Sequence, residues 1–245
     1  MAVIDGIAGR TALIAGGATL IGAELARAFS RLGANVVIAD IDCEGGQAAV
    51  STCVHDALFM ETDVTSDMAI DACIAAALKK FGRIDFLINV TTSYIDDGLE
   101  TSRENWLTAL NIGLVGGAMF AQKLAPELSL HKGAIVNFSS ISAHRAQFGR
   151  FVYPAIKAAI AQLTRSQALE FASRGVRVNA ITPGWTWSNV MKAITSDQRG
   201  KVDEVGGAFH MPGRIADAEE LLQKYFLNKK MLHLLSKAKR VVKHL

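Results

Sequence analysis

The apolar positions of this chain fall into short unbroken runs, separated by longer segments of helical period. Thr11-Ala12-Leu13-Ile14-Ala15 is one such run and ends at Gly16-Gly17. Residues 21–32 then repeat apolar side chains at helical spacing, and Val36-Val37-Ile38-Ala39 forms a second run ending at Asp40. This is a strand, glycine turn, helix, strand unit. The alternation predicts further strands at 57–61, 84–89, 134–139 and 176–181, and helices at 68–81, 103–128 and 151–173. The runs are continuously apolar rather than alternating, as expected of strands covered by helices on both sheet faces. Repeated βα units with right-handed crossovers predict an α/β fold built on a doubly wound parallel sheet of Rossmann-like type.

Composition narrows the picture. Half of the 245 residues are hydrophobic and 21 are glycine, enough for one large domain, expected over residues 1–222. The net charge of +3 gives no reason to expect a nucleic-acid partner. Cys43, Cys53 and Cys73 show no ligand spacing and read as reduced intracellular thiols, and the histidines form no metal constellation. No apolar run is long enough for a membrane span, and no basic segment precedes an apolar one at the amino terminus; a cytoplasmic protein is expected. Residues 223–245 differ in kind. They hold no Asp, Glu, Gly or Pro and carry seven positive charges, leaving −4 for the remainder. Leu221, Leu222, Phe226, Leu232, Leu235 and Val242 could form a loose stripe on one basic helix starting near Asp217, which would pack at the terminus or meet a membrane surface or partner.

The chemistry gathers at two places. Gly16-Gly17-Ala18-Thr19-Leu20-Ile21-Gly22 lies between the first strand and helix, where glycines admit a pyrophosphate and free N–H groups meet it. Asp40 ends the second strand, where a carboxylate accepts from an adenosine ribose diol and repels a 2′-phosphate; Ile41, not arginine, follows it, so NAD is favoured over NADP. Asp63, with Val64, is placed after the third strand to meet the adenine, and Asn89 ends the fourth strand at the same sheet edge. Downstream, Tyr153 and Lys157 are four apart in a predicted helix and so share one face. A phenol ordinarily titrates near ~10, and a fixed ammonium beside it is expected to lower that value toward neutrality.

These motifs, with Asn111 in a mid-chain helix, Ser140 thirteen residues before Tyr153, and Asn179-Ala180-Ile181-Thr182-Pro183-Gly184, resemble the short-chain dehydrogenase/reductase family over about residues 5–220. The resemblance implies that Tyr153 is the general acid/base and that Lys157 lowers its pKa and holds the nicotinamide ribose. It implies that Ser140 orients the substrate oxygen and that Asn111 places a water beside the lysine. It further implies that Pro183 and Gly184 flank the nicotinamide, that Ser188 meets its carboxamide, and that Gly16, Thr19, Leu20 and Ile21 line the phosphate turn. Ser142 is a candidate substrate contact, and Ser139 reads as structural. The chain departs from the family pattern where Leu20 replaces a glycine of the turn, where Thr91 replaces the glycine after Asn89-Val90, and at the carboxyl end, where no seventh strand is visible.

A lid over the pocket is expected from Trp185-Thr186-Trp187-Ser188 through Phe209-His210-Met211. With Phe148 and Phe151, Trp185 and Trp187 give aromatic walls that suit a hydrophobic or cyclic secondary alcohol or ketone; Arg145 and Arg150 could instead pair with a substrate carboxylate. The expected activity is hydride transfer between NAD(H) and such a substrate. Two alternatives are an NADPH-dependent ketone reductase and a non-catalytic dinucleotide-binding protein. The family commonly forms homodimers or homotetramers.

Overall fold

The computed structural model describes residues 6–208, 210 and 212–225; the basic segment 226–245 and two residues of the expected lid, Phe209 and Met211, lie outside the described residues. Strands β1 (Thr11–Ala15) and β2 (Asn35–Asp40) flank helix α1 (Leu20–Arg31). Then come α2 (Cys43–Ser51), β3 (Ala57–Glu61), α3 (Asp67–Phe81) and β4 (Phe86–Asn89). The second half holds α4 (Arg103–Leu110), a π-helical turn (Asn111–Val115), α5 (Gly116–Lys123), α6 (Ala125–Leu130), β5 (Ala134–Phe138), α7 (Val152–Ala172) and β6 (Arg177–Ile181). Helices α8 (Asn189–Ile194), α9 (Arg199–Gly207) and α10 (Ala218–Tyr225) follow.

All strand pairs are parallel, in the order β3-β2-β1-β4-β5-β6. The order reverses between β1 and β4, and ligands of such sheets bind outside the carboxyl ends at that switch point. Ala15 pairs with both Ala39 and Asn89, so the ends of β1, β2 and β4 are level there.

Because side chains alternate across a strand, the apolar runs feed two cores. Ala12, Ile14, Val36, Ile38, Phe86 and Ile88 meet Leu25 and Phe29 of α1 on one face. Leu13, Val37, Leu87 and Ile135 meet Ile70 and Cys73 of α3, Phe120 of α5 and Phe171 of α7 on the other. That double cover is why the runs could be apolar without alternation.

Two expectations are corrected. The span 103–128 is not one helix: it passes through the π turn and breaks again at Leu124, the residue between α5 and α6. Gly113, in the π turn, lies so close to α7 that a Cβ there would stand 3.0 Å from Ile156 Cγ2. Helix α2 was not expected. Its Gly45-Gly46 pair weakens the helical signal. Yet Asp42 caps it by accepting from Gly45 N–H, and Gly46 leaves room for the Phe59 ring.

Candidate active site

The turn from β1 to α1 is shaped by where side chains are absent. Gly16 has φ +87°, and a Cβ on it would sit 2.7 Å from the Thr91 backbone nitrogen. A Cβ on Gly22 would run into the Gly16 carbonyl oxygen, and one on Gly17 would stand 2.7 Å from Ile38 Cγ2. Thr19 caps α1, accepting from Gly22 N–H at 3.0 Å while its hydroxyl donates to Gly16 O at 2.9 Å. Asp40 Oδ2 accepts from Ala18 N–H at 2.9 Å, joining the end of β2 to the turn. The departures from the family pattern fit this geometry. Leu20 N–H donates to Asn189 Oδ1 of α8 at 3.1 Å. Thr91 faces Gly16 and a small internal cavity shared with Asn89 and Asn137, and it is Val90 and Thr92 that reach the main cleft.

That cleft, about 680 Å³, runs from Ile21 of the turn past Ser140, Tyr153, Lys157, Pro183, Gly184 and Ser188 to Phe148, Trp185, Met191, Val202 and Val205. Helix α7 carries Tyr153 and Lys157 in its first turns, with no cap from its own preceding residue Phe151. The cap comes from far off in sequence. Buried Asp96 accepts from Phe151 N–H at 2.9 Å and Tyr153 N–H at 2.8 Å. It also accepts from Gly98 N–H at 3.2 Å. Burial raises the Asp96 pKa, but these amides outweigh it and hold the carboxyl below its usual range. Lys157 is buried and donates from Nζ to Phe138 O at 2.9 Å, and Ser139 Oγ donates to Lys157 O at 2.8 Å. Both contacts bolt α7 to the end of β5. Burial pushes the lysine down to about 8.

Around the phenol, Tyr94 stacks on Tyr153 with centroids 5.1 Å apart, and the side chains of Ser140 and Tyr94 both act on its hydroxyl. Burial raises the Tyr153 pKa, and the bonds from Ser140 and Tyr94 oppose this without overcoming it. The ammonium of Lys157, expected to pull that value down, has its Nζ over the ring face, 5.5 Å from the centroid, and donates to Phe138 O.

A family model described as enoyl-(acyl carrier protein) reductase matches residues 16–240. The chain belongs to the short-chain dehydrogenase/reductase family. It is therefore an oxidoreductase with a nucleotide-binding Rossmann-like fold. It is 33% identical over 220 residues to L-fucose dehydrogenase of Oryctolagus cuniculus, across 87% of this chain and 76% of that one. It is 34% identical over 226 residues to cis-4-hydroxycyclohexanecarboxylate dehydrogenase of Sinomonas cyclohexanicum, across 89% and 88%. In fold it resembles the 3-ketoacyl-(acyl-carrier-protein) reductase of Brucella melitensis, solved with NADH: TM-score 0.82, 24% identity, 93% and 94% covered.

In this member of the family the expected residues are only partly brought together. Ile21, Ser140, Ser142, Phe148, Tyr153, Lys157, Pro183, Gly184, Trp185 and Ser188 line the cleft. Phe151 and Trp187 do not: Phe151 is half exposed, and Trp187 lies beneath the Arg199 guanidinium, 5.4 Å from its ring centroid. Asn89 serves the sheet, donating from Nδ2 to Asn137 Oδ1 at 2.9 Å and Gly117 O at 3.3 Å. Asp63 is exposed and bonds Thr65, while Val64 is buried against Gly116. Asn111 opens the π turn and hydrogen-bonds neither Tyr153 nor Lys157 among the described residues. Tyr94 and Asp96 were missed, though they follow β4 at the ligand-binding edge, which was the available signal. His210 packs against the segment after β6: Nε2 accepts from Trp185 N–H at 2.9 Å, and Nδ1 lies 2.7 Å from Gly206 O. Among the described residues no cluster could hold a metal ion, and no helix is long and apolar enough to cross a membrane.

Proposed function

We propose that the chain is an NAD(H)-dependent dehydrogenase that interconverts a hydrophobic or cyclic secondary alcohol and its ketone. One observation carries this reading: Tyr153, hydrogen-bonded by Ser140 and backed by Lys157, opens into an apolar-walled cleft that runs to the glycine turn. The residues fit a dinucleotide. The turn from Gly16 to Gly22 is a cradle that a Cβ would fill, and Asp40 at the end of β2 supplies a carboxylate for a ribose diol and disfavours a 2′-phosphate. Thr19, Leu20 and Ile21 would hold the phosphate side; Pro183, Gly184 and Ser188 would flank the nicotinamide. Asp63 and Val64 would lie on the adenine side.

A bound nicotinamide would supply the acceptor for the hydride of the alcohol carbon. The alcohol O–H proton passes to the deprotonated oxygen of Tyr153, and the C–O bond becomes the carbonyl. Ser140 Oγ, which donates to Ser142 Oγ at 3.1 Å, turns its hydrogen to the substrate oxygen and steadies the charge developing there. Lys157 stabilises the ionised phenol from behind the ring and offers protons to a ribose hydroxyl. Asn111 would complete that relay through a water. The walls from Tyr94, Phe148, Trp185, Met191, Val202 and Val205 select apolar bulk. Relatives that act on a sugar and on a hydroxycyclohexanecarboxylate agree with a ring-bearing substrate.

The reading is tested by following absorbance at 340 nm with cyclic and acyclic secondary alcohols and either NAD⁺ or NADP⁺. Turnover of cyclic alcohols with NAD⁺, and at least about tenfold less with NADP⁺, is expected. NADH binding with no turnover on any alcohol or ketone would leave a nucleotide-binding protein without this chemistry.

A further inference from the structure

The cleft has one sign of charge. Its charged lining residues are Arg150, Lys157 and Lys201, and no Asp or Glu lines it among the described residues. Lys157 is committed to Phe138 O and Tyr153, and Lys201 stands on α9 in the lid. Arg150 is different, because its guanidinium is held. Nη1 donates to Asp96 O at 3.1 Å, and that contact is to the carbonyl rather than the carboxylate. The carboxylate of the same residue is engaged by the amides of Gly98, Phe151 and Tyr153. One residue, Asp96, therefore positions both the cation and the start of the helix that carries the reacting phenol.

Arg150 also acts electrostatically on Tyr94, whose ring stacks on Tyr153. The cation thus stands near the Tyr94–Tyr153 pair, and Gln147 and Phe148 of its own loop line the same cleft. A guanidinium has five donors in a planar fork, and one bond to a carbonyl leaves others for a second acceptor. In a cleft otherwise walled by apolar side chains, the ligand that completes this arrangement is an anion with an apolar body.

We propose that Arg150 anchors a carboxylate on the substrate, so that the substrate class is a hydroxy acid or keto acid whose acid group and reacting carbon are separated by a ring or similar apolar spacer. This deepens the alcohol-oxidation reading and rests on it. The fork grips the carboxylate, Tyr153 and Ser140 meet the hydroxyl, and the ring of Tyr94 covers the span between.

The test separates the anchor from the chemistry. First, kcat/KM is compared for 4-hydroxycyclohexanecarboxylate and 4-hydroxycyclohexanecarboxamide with NAD⁺. The acid is expected to be favoured by about tenfold or more, carried mainly by KM, as a charge-assisted pair provides. In Arg150→Gln the acid-to-amide ratio should collapse toward one, and in Arg150→Lys part of it should return. A general weakening of the cleft lowers both substrates together and leaves the ratio in place, which would contradict the proposal. Second, calorimetry of cyclohexanecarboxylate against cyclohexanecarboxamide reads the anchor with no alcohol to oxidise. Tighter binding of the acid, lost in Arg150→Gln, supports the anchor even if no alcohol is turned over, an outcome that would sink the alcohol reading alone. Equal affinity and equal kcat/KM for acid and amide in the parent overturn the anchor, and turnover of cyclohexanol in the same experiment shows the alcohol reading standing without it.

Discussion

The two ends of the cleft are built by opposite means. The glycine turn is made of backbone: its shape comes from Gly16, Gly17 and Gly22 leaving out side chains, Thr19 ties Gly16 to Gly22, and its amides at Ala18 and Leu20 donate to Asp40 and Asn189. The catalytic corner is made of side chains whose bonds span long stretches of chain. Asp96 reaches Tyr153 N–H, and Lys157 reaches Phe138 O. A nucleotide end that reads a shape repeated in every dinucleotide can be local and tight. A catalytic end must hold a buried cation and a partly buried phenol that are individually unfavourable, and long-range bonds hold them there.

Substitutions at each end sharpen the contrast. Lys157→Met should have the largest effect on rate, a loss in kcat of about 10³-fold or more, as expected when a charge that stabilises the reacting oxygen is removed. It should also change how stability depends on pH. The folded lysine sits at about 8, and unfolded it titrates near ~10.4. Between those values the unfolded lysine holds a proton that the folded one lacks, so the contribution of Lys157 to stability rises with pH through that window. The variant's melting temperature should lack that rising contribution.

At the other end, Gly22→Ala should act through folding. The added methyl meets the backbone of Gly16 and Gly17, which cannot yield as a side chain tip would. A loss of about 3 kcal/mol in denaturant unfolding is expected, together with weakened nucleotide binding. An unfolding midpoint equal to the parent's would mean that the turn is not so tightly drawn.

Asp96→Ala removes the cap of α7. It should cost about 1–2 kcal/mol of stability and lower kcat through the misplaced phenol. The native carboxyl is held below its usual range, so its contribution is present at neutral pH and is lost as pH falls through the folded value. The variant should lack that part of the acid limb of the stability curve.

Tyr94→Phe should have the smallest effect. It keeps the stacked ring and removes one hydrogen bond that favours the ionised form of Tyr153. The Tyr153 pKa should rise further, so the acid-side, ascending limb of kcat/KM for alcohol oxidation should move to higher pH while KM changes little. An unmoved limb would show that Ser140 alone governs the phenol.

The same contrast explains what could be read from the residues in advance. The strands were legible because burial on both faces leaves a continuous apolar run, and the turn was legible because its glycines fall within seven residues, Gly16 to Gly22. Tyr153, Lys157 and Ser140 were legible through their spacing. Asp96 and Tyr94 were not, because their partner lies 57 or more residues away and no local rule joins them. The π turn at Asn111–Val115 escaped because its apolar residues continue the helical period across the extra residue. Trp187 looked like a pocket wall from its place beside Trp185, but hydrogen bonding of its amide to Ala216 O turns that segment toward α10, and the indole goes under Arg199.

The central claim is that the Tyr153 oxygen takes the alcohol proton. Its most direct test is kcat for a cyclic secondary alcohol with NAD⁺ in Tyr153→Phe, beside NADH affinity and melting temperature of the same variant. The account predicts a loss of about 10³-fold or more in kcat with nucleotide affinity and folding near those of the parent. A folded, nucleotide-binding Tyr153→Phe protein that oxidises the alcohol at the parental rate would contradict it.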